Sequence, residues 1–142
     1  MSDNKTIQFE IVTPEKRILR ENITQVIIPT QSGEITVLPN HIPLVSNLKP
    51  GVIIAKKNDG SEIIMAVSGG FVEVTKDKII ILADTAERAD ELDENRIKEA
   101  RAKAELAKEE LKHVDREQFA QIAAKLQKEL ARENAVKKWR KL

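Results

Sequence analysis

The two histidines, His41 and His113, are the first place to look for catalysis or metal binding, because imidazole titrates near neutrality and ligates metals. They fall in segments of different character, and neither sits in an HExxH or similar ligand spacing. Cysteine is absent, which removes thiolate nucleophiles, disulfides and every Cys-ligated zinc or iron–sulfur site. Ser68-Gly69-Gly70 is too short to cradle phosphates without a following helix, and reads as a turn entering a strand. No catalytic constellation emerges, so the chain is expected to carry no catalytic residues, no metal and no resident cofactor.

Three other groupings could carry recognition. In Leu38-Pro39-Asn40-His41-Ile42-Pro43-Leu44 two prolines stiffen a loop; it is either a connection whose His caps a backbone group or a rigid contact surface for a partner. In Leu92-Asp93-Glu94-Asn95-Arg96, Asp93 and Arg96 stand one helical turn apart. The simpler reading is an N-cap with a local ion pair, worth about 0.5–2 kcal/mol for the cap and little for an exposed pair. The functional one puts Arg96 on a phosphate and Asp93 on a base or ribose. The terminal run Lys137-Lys138-Trp139-Arg140-Lys141-Leu142 places cations where they offset the negative end of a helix dipole, which leaves the chain's single tryptophan unexplained. Trp139 amid Lys137, Lys138, Arg140 and Lys141 has the make-up of an anchor that docks apolar area while the cations meet an acidic partner.

The elements that position these groups follow two different rules. All five prolines lie at or before Pro50 and all five glycines at or before Gly70, whereas charge concentrates after Thr85. Ile7, Phe9 and Ile11 alternate with polar residues, which puts the apolar set on one face of a strand. Further strands are predicted at 17–19, 23–28, 34–38, 52–56, 62–67, 71–75 and 78–84. Between them lie the turn-forming Gln31-Ser32-Gly33, Lys49-Pro50-Gly51, Asn58-Asp59-Gly60 and Lys76-Asp77. Many short strands with no helix among them predict an antiparallel sandwich or barrel. Parallel pairing is not expected, because the helical crossovers it needs are missing.

After Thr85 the period changes from two to 3.6. Phe119, Ile122, Ala123, Leu126 and Leu130 form a helical stripe, with Lys125, Gln127, Lys128 and Glu129 on other faces. Leu92, Ala100, Ala104, Ala107 and Leu111 make a weaker, alanine-rich stripe. His113-Val114-Asp115 reads as the turn between two helices, with Asp115 as cap of the second and Gln118 as its return arm. The fold class is therefore α+β, with a strand-built domain over residues 1–86 and an antiparallel helical hairpin over 87–142.

A chain of 142 residues, 41% apolar and 33% charged, has the size and composition for a real core. With 24 basic and 23 acidic residues its net charge is +1, so no global field draws it to nucleic acid or an anionic membrane. The longest apolar runs, Ile63 to Val67 and Ile79 to Ala83, fall far short of the ~20 residues that cross a bilayer. The opening MSDNKTIQFE has no basic segment leading into an apolar stretch, so no secretory signal is expected and a cytoplasmic location is.

Taken in order, the residues resemble the epsilon subunit of the bacterial F-type rotary ATP synthase. Phe9-Glu10-Ile11-Val12-Thr13-Pro14 is similar to its opening strand. The segment from Ser32 to Leu44 resembles its Gly-Glu-Leu-Gly-Ile-Leu-Pro-Gly-His-Ala-Pro-Leu signature, with Thr36 and Asn40 where the family has glycine. Ser68-Gly69-Gly70-Phe71-Val72-Glu73-Val74 and Ile81-Leu82-Ala83-Asp84-Thr85-Ala86-Glu87 match two further blocks.

The resemblance implies a flattened antiparallel β-sandwich that sits on the central stalk beside the gamma subunit and touches the c-ring, with Glu34 and His41 at that contact. It implies a helical hairpin that permits turnover when folded on the sandwich and blocks ATP hydrolysis when extended into the alpha/beta catalytic head. There Lys137, Lys138, Trp139, Arg140 and Lys141 would meet an acidic segment. Some relatives bind ATP in the folded hairpin as a regulatory ligand, and Glu87, Asp93 and Arg96 match that set, with Ile97 where alanine is usual. An ungapped match places the basic positions of the second helix at Lys125 and Glu129, and an acid at the latter would repel phosphate. The implied location is the cytoplasmic face of the bacterial plasma membrane, reached only through the complex, with no nucleic-acid partner. A competing reading from another class is a free-standing sandwich adaptor whose helical arm binds an acidic protein or RNA.

Overall fold

The computed structural model describes residues 5–111 and 116–141. The turn expected at His113-Val114-Asp115, with Asp115 as cap, lies outside these residues, as do the first four residues and Leu142. Among the described residues are nine strands: β1 (Ile7–Val12), β2 (Arg17–Thr30), β3 (Gly33–Val37), β4 (Leu44–Leu48), β5 (Gly51–Lys57), β6 (Glu62–Val67), β7 (Gly70–Val74), β8 (Lys78–Ala83) and β9 (Ala86–Arg88). A 3₁₀ turn (Ala89–Glu91) leads into the helices α1 (Glu94–Leu111) and α2 (Arg116–Arg140).

The strands form two layers joined through β2. Its first half pairs with β1, Leu19 opposite Ile11 and Ile23 opposite Ile7, and its second half pairs with β3 and β5. One layer runs β2-β1-β8-β7-β4 and the other β3-β2-β5-β6-β9. The separate strands expected at 17–19 and 23–28 are thus one strand of 14 residues. A register shift between Ile23 and Gln25 marks where it passes from one layer to the other.

The expectation of purely antiparallel pairing is corrected at one place. β1 and β8 run parallel, with Phe9 opposite Ile79 and Ile11 opposite Ile81. A crossover is still required, but here the strands between them, which pass through the second layer and back, supply it in place of a helix. β4 was not foreseen either: Ser46 and Asn47 are poor strand formers, and pairing with β7 is what holds them extended. β9 pairs Glu87 opposite Ala66 and Arg88 opposite Met65, so strand pairing continues past residue 86.

Between the layers Phe9, Ile11, Ile23, Val26, Ile28, Ile53, Met65, Ile79 and Ile81 are fully buried, each worth about 1.5–3 kcal/mol of transfer free energy. β6 is buried along its whole apolar run. Ile63, Met65 and Val67 enter this core, while Ile64 and Ala66 point the other way and meet Ala89 and Ala135, with Val52, Ile54 and Leu92 around them. α2 therefore covers the outer face of β5 and β6, and α1 lies on α2.

Two backbone positions account for residue choice. Gly70 has φ +123°, and a Cβ there would collide with the Leu82 carbonyl oxygen, so the Ser68-Gly69-Gly70 corner between β6 and β7 needs glycine. Asn40 has φ 66°, a left-handed conformation that asparagine tolerates better than other non-glycine residues. That explains asparagine where the family pattern has glycine, whereas Thr36 is an ordinary exposed strand residue.

Glu129, off the apolar stripe, is nevertheless buried. Glu129 and Glu133 are each 4% exposed. The last turns of α2 lie between the sheet and α1, so their buried stripe is wider than the apolar pattern alone suggests. Leu126, Ala131, Ala135 and Val136 are buried there, while Phe119, Ile122, Ala123 and Leu130 are half-buried.

Candidate functional site

A rim is built on β3, which among the described residues pairs only with β2 and so forms a sheet edge. Glu34, Thr36 and Leu38 alternate outward along it and are exposed, and Ile42 follows at 77% exposure. Glu34 and His41 stand towards opposite ends of this rim; Glu34 to Val37 alone spans about 10 Å of strand. The His41 N–H donates to the Leu38 carbonyl at 3.2 Å, and its Nδ1 lies 2.7 Å from the Ile42 carbonyl oxygen. A carbonyl can only accept, so that contact requires the proton on Nδ1. His41 thus stiffens the loop from within and leaves Leu38 and Ile42 facing outward.

An apolar face lies on the outer side of β4, β7, β8 and β1. Pairing sets Asn47, Phe71, Leu82 and Val12 in one row, and Val45, Glu73, Ile80 and Glu10 in the next. Val45 is 72% exposed, and Phe71 and Leu82 are each 54% exposed. Glu10 accepts from Arg17 Nε at 2.7 Å and faces Lys78 Nζ at 3.4 Å. Burial would raise its pKa, but the hydrogen bonds and charges of Arg17 and Lys78 outweigh that and hold it below the usual carboxylate range.

The helical arm is fastened by ion pairs rather than by a deep apolar core. Glu133 takes Arg101 of α1 at 2.6 Å and Lys137 at 3.2 Å. Arg132 bridges Glu129 at 2.7 Å and Glu87 of β9 at 2.5 Å. Arg140 reaches Glu94, at the start of α1, at 2.5 Å. Within the terminal run, Lys137 and Arg140 are thus engaged internally, while Lys138, Trp139 and Lys141 are exposed.

The residues matched to nucleotide binding are only partly brought together. Glu87 lines a cleft of about 570 Å³ together with Leu92, Lys128 and Arg132. Asp93 instead caps α1, its carboxylate accepting from the Asn95 and Arg96 backbone N–H groups at 3.0 and 3.3 Å. The Arg96 side chain is 87% exposed, and neither residue lines the cleft. The basic residues of α2 that do, Lys128 and Arg132, lie three positions beyond those of the ungapped match, Lys125 and Glu129. Their i, i+4 spacing was visible in the sequence; the offset in the hairpin was not.

Comparison with known proteins now places the chain. The family model of the ATP synthase delta/epsilon chain beta-sandwich domain matches residues 6–89. This chain belongs to the ATP synthase delta/epsilon chain family. It is 49% identical to the ATP synthase epsilon chain of Dichelobacter nodosus over 98 residues, 69% of this chain and 68% of that one. To the epsilon chain of Sinorhizobium medicae it is 41% identical over 112 residues, 76% and 84% of the two chains. A chain of the Euglena gracilis mitochondrial ATP synthase, solved as OSCP/F1/c-ring in rotational state 1, superposes with a TM-score of 0.81 at 23% identity. That likeness covers 96% of this chain and 86% of the other, so the fold is shared through the helices as well as the sandwich. Epsilon-chain membership, the family the sequence pointed to, is thereby established, and a free-standing adaptor is not favoured.

Proposed function

We propose that this chain is the non-catalytic central-stalk subunit of a bacterial F-type ATP synthase, and that its helices restrain ATP hydrolysis. The observation that carries the reading is the contrast between the two sandwich faces. The outer face of β5 and β6 is covered by α2, whereas Val45, Phe71 and Leu82 on the opposite layer remain exposed in a contiguous patch. An apolar patch on a rigid sheet is what a long-lived protein contact needs, and we assign it to the gamma subunit. The polar rim from Glu34 to His41 is assigned to the c-ring.

Inhibition follows from how lightly the arm is held. α2 meets the sandwich through small residues, Ala66, Ala89 and Ala135 among them, and through pairs that a different surface could replace. Two compact arrangements of one chain can then differ by only a few kcal/mol. Extended into the alpha/beta catalytic head, the run from Lys137 to Lys141 would meet acidic groups, wedging the rotor without any bond made or broken by this subunit. Deleting residues 135–142 should raise ATP hydrolysis by the reconstituted head; unchanged hydrolysis counts against an inhibitory arm.

ATP as a regulatory ligand is proposed for the cleft at Glu87, where Lys128 and Arg132 would take the phosphates. Titration of the purified subunit checks this, with Arg132→Gln expected to weaken binding more than Arg96→Ala. As a subunit of a membrane-associated complex the chain needs no span of its own, and none of its described helices is long and apolar enough to cross a membrane. We place it on the cytoplasmic face of the plasma membrane.

A further inference from the structure

A second cleft, of about 680 Å³, opens where the end of α2 passes the β2–β3 and β4–β5 turns. Lys137 and Lys138 line it from α2, Lys141 from the turn after it and Lys49 from the sandwich, with Asn134 beside them and Glu34 as its single acidic residue. Lys137 is paired with Glu133. Among the described residues Lys49, Lys138 and Lys141 have no carboxylate within ion-pair distance. The negative end of the helix dipole accounts for lysines on α2; it does not account for Lys49, which a different element brings to the same opening. In a chain whose net charge is only +1, this is a local surplus of cations around one concavity.

We propose that this cleft binds a phosphate-bearing anion, and that its occupancy holds the arm folded. Ammonium groups on flexible stems suit phosphate as point charges, and Asn134 offers an amide donor. The cleft has walls from both the sandwich and α2, so it exists only while the arm lies on the sheet. By linkage, a ligand that needs both walls stabilises the folded arrangement and disfavours the extended one. The same lysines cannot hold the anion and contact another protein at once. The phosphate can come from a soluble polyphosphate or from a lipid headgroup.

The test is a titration of the full-length subunit with pyrophosphate at low ionic strength, followed by calorimetry and by Trp139 fluorescence. In parallel, sedimentation is measured with vesicles of phosphatidylglycerol in phosphatidylcholine. Saturable binding should weaken about fivefold for each of Lys49→Gln, Lys138→Gln and Lys141→Gln and be retained in Lys76→Gln, an exposed lysine between β7 and β8 that lines neither cleft. Circular dichroism and thermal midpoints verify that the variants fold. Binding to pyrophosphate identifies a soluble ligand, and binding to vesicles alone identifies a headgroup. Absence of saturable binding to both overturns the proposal, as does binding unaffected by Lys49→Gln. Neither result bears on stalk attachment, which is read separately by association with the gamma subunit.

Discussion

Glu133 offers the sharpest test of how the arm is fastened. The residue is 4% exposed, and its carboxylate sits 2.6 Å from Arg101 Nη1 and 3.2 Å from Lys137 Nζ. Glu133→Gln keeps the volume and removes the charge, leaving Arg101 without its main partner. Breaking a fully buried pair from one side costs about 3–5 kcal/mol. Arg101 is 34% exposed, so water recovers part of that and about 2 kcal/mol is expected. Its Nε is buried without a hydrogen-bond acceptor, and the carboxylate left to it, Glu105, stands 3.8 Å away on the same helix, too far for a hydrogen bond. Two kcal/mol lowers the folded-arm equilibrium constant about 30-fold. Amide hydrogen exchange along α2 in the isolated subunit should accelerate by that factor while β6 and β8 keep their protection. In the assembled enzyme the same variant should deepen inhibition of hydrolysis. A cycle with Arg101→Gln separates the pair from general destabilisation, since coupled neighbours depart from additivity by more than about 0.5 kcal/mol. Additive single variants, or unchanged protection of α2, would refute the ionic latch.

Phe71→Asp should reduce affinity for the gamma subunit at least tenfold, measured by copurification, while the thermal midpoint hardly moves because the side chain is half exposed. Gly70→Ala forces a Cβ into the Leu82 carbonyl at a left-handed φ and should cost about 3 kcal/mol or more in denaturant unfolding. For Glu10 the folded pKa lies below its ordinary value of 4.5. Its stabilisation is therefore fully present above 4.5 and is lost as pH falls through the lower folded value. Thermal midpoints from about pH 7 down to about pH 2 should decline less steeply for Glu10→Gln than for the unaltered chain; parallel curves would show that Arg17 and Lys78 do not stabilise the ionised form.

What could be read in the sequence was whatever depends on neighbours along the chain. Alternation at Ile7, Phe9 and Ile11, the turn residues at Asn58-Asp59-Gly60 and the change to helical period after Thr85 are local consequences of side-chain direction and backbone preference. They gave most of the strands, the break between sandwich and hairpin, and, through the signature from Ser32 to Leu44, the family. The nucleotide-type residues Glu87, Asp93 and Arg96 were legible as types. Only the fold separated Glu87, which meets Arg132, from Asp93 and Arg96, which satisfy a cap and solvent.

Two five-residue runs show where local reading stops. Ile63 to Val67 and Ile79 to Ala83 are both continuous apolar strands, and nothing in either tells which face will be covered. Packing decides it: α2 lies over Ile64 and Ala66, and among the described residues no helix lies over Ile80 and Leu82, so one run completes an internal interface and the other presents a surface. The same holds for Glu129 and Glu133, ordinary charges in a helical sequence that become buried once α1 and the sheet close on them. Burial and long-range pairing are properties of which elements meet, and that is settled by the free energy of the whole chain, not by any segment of it.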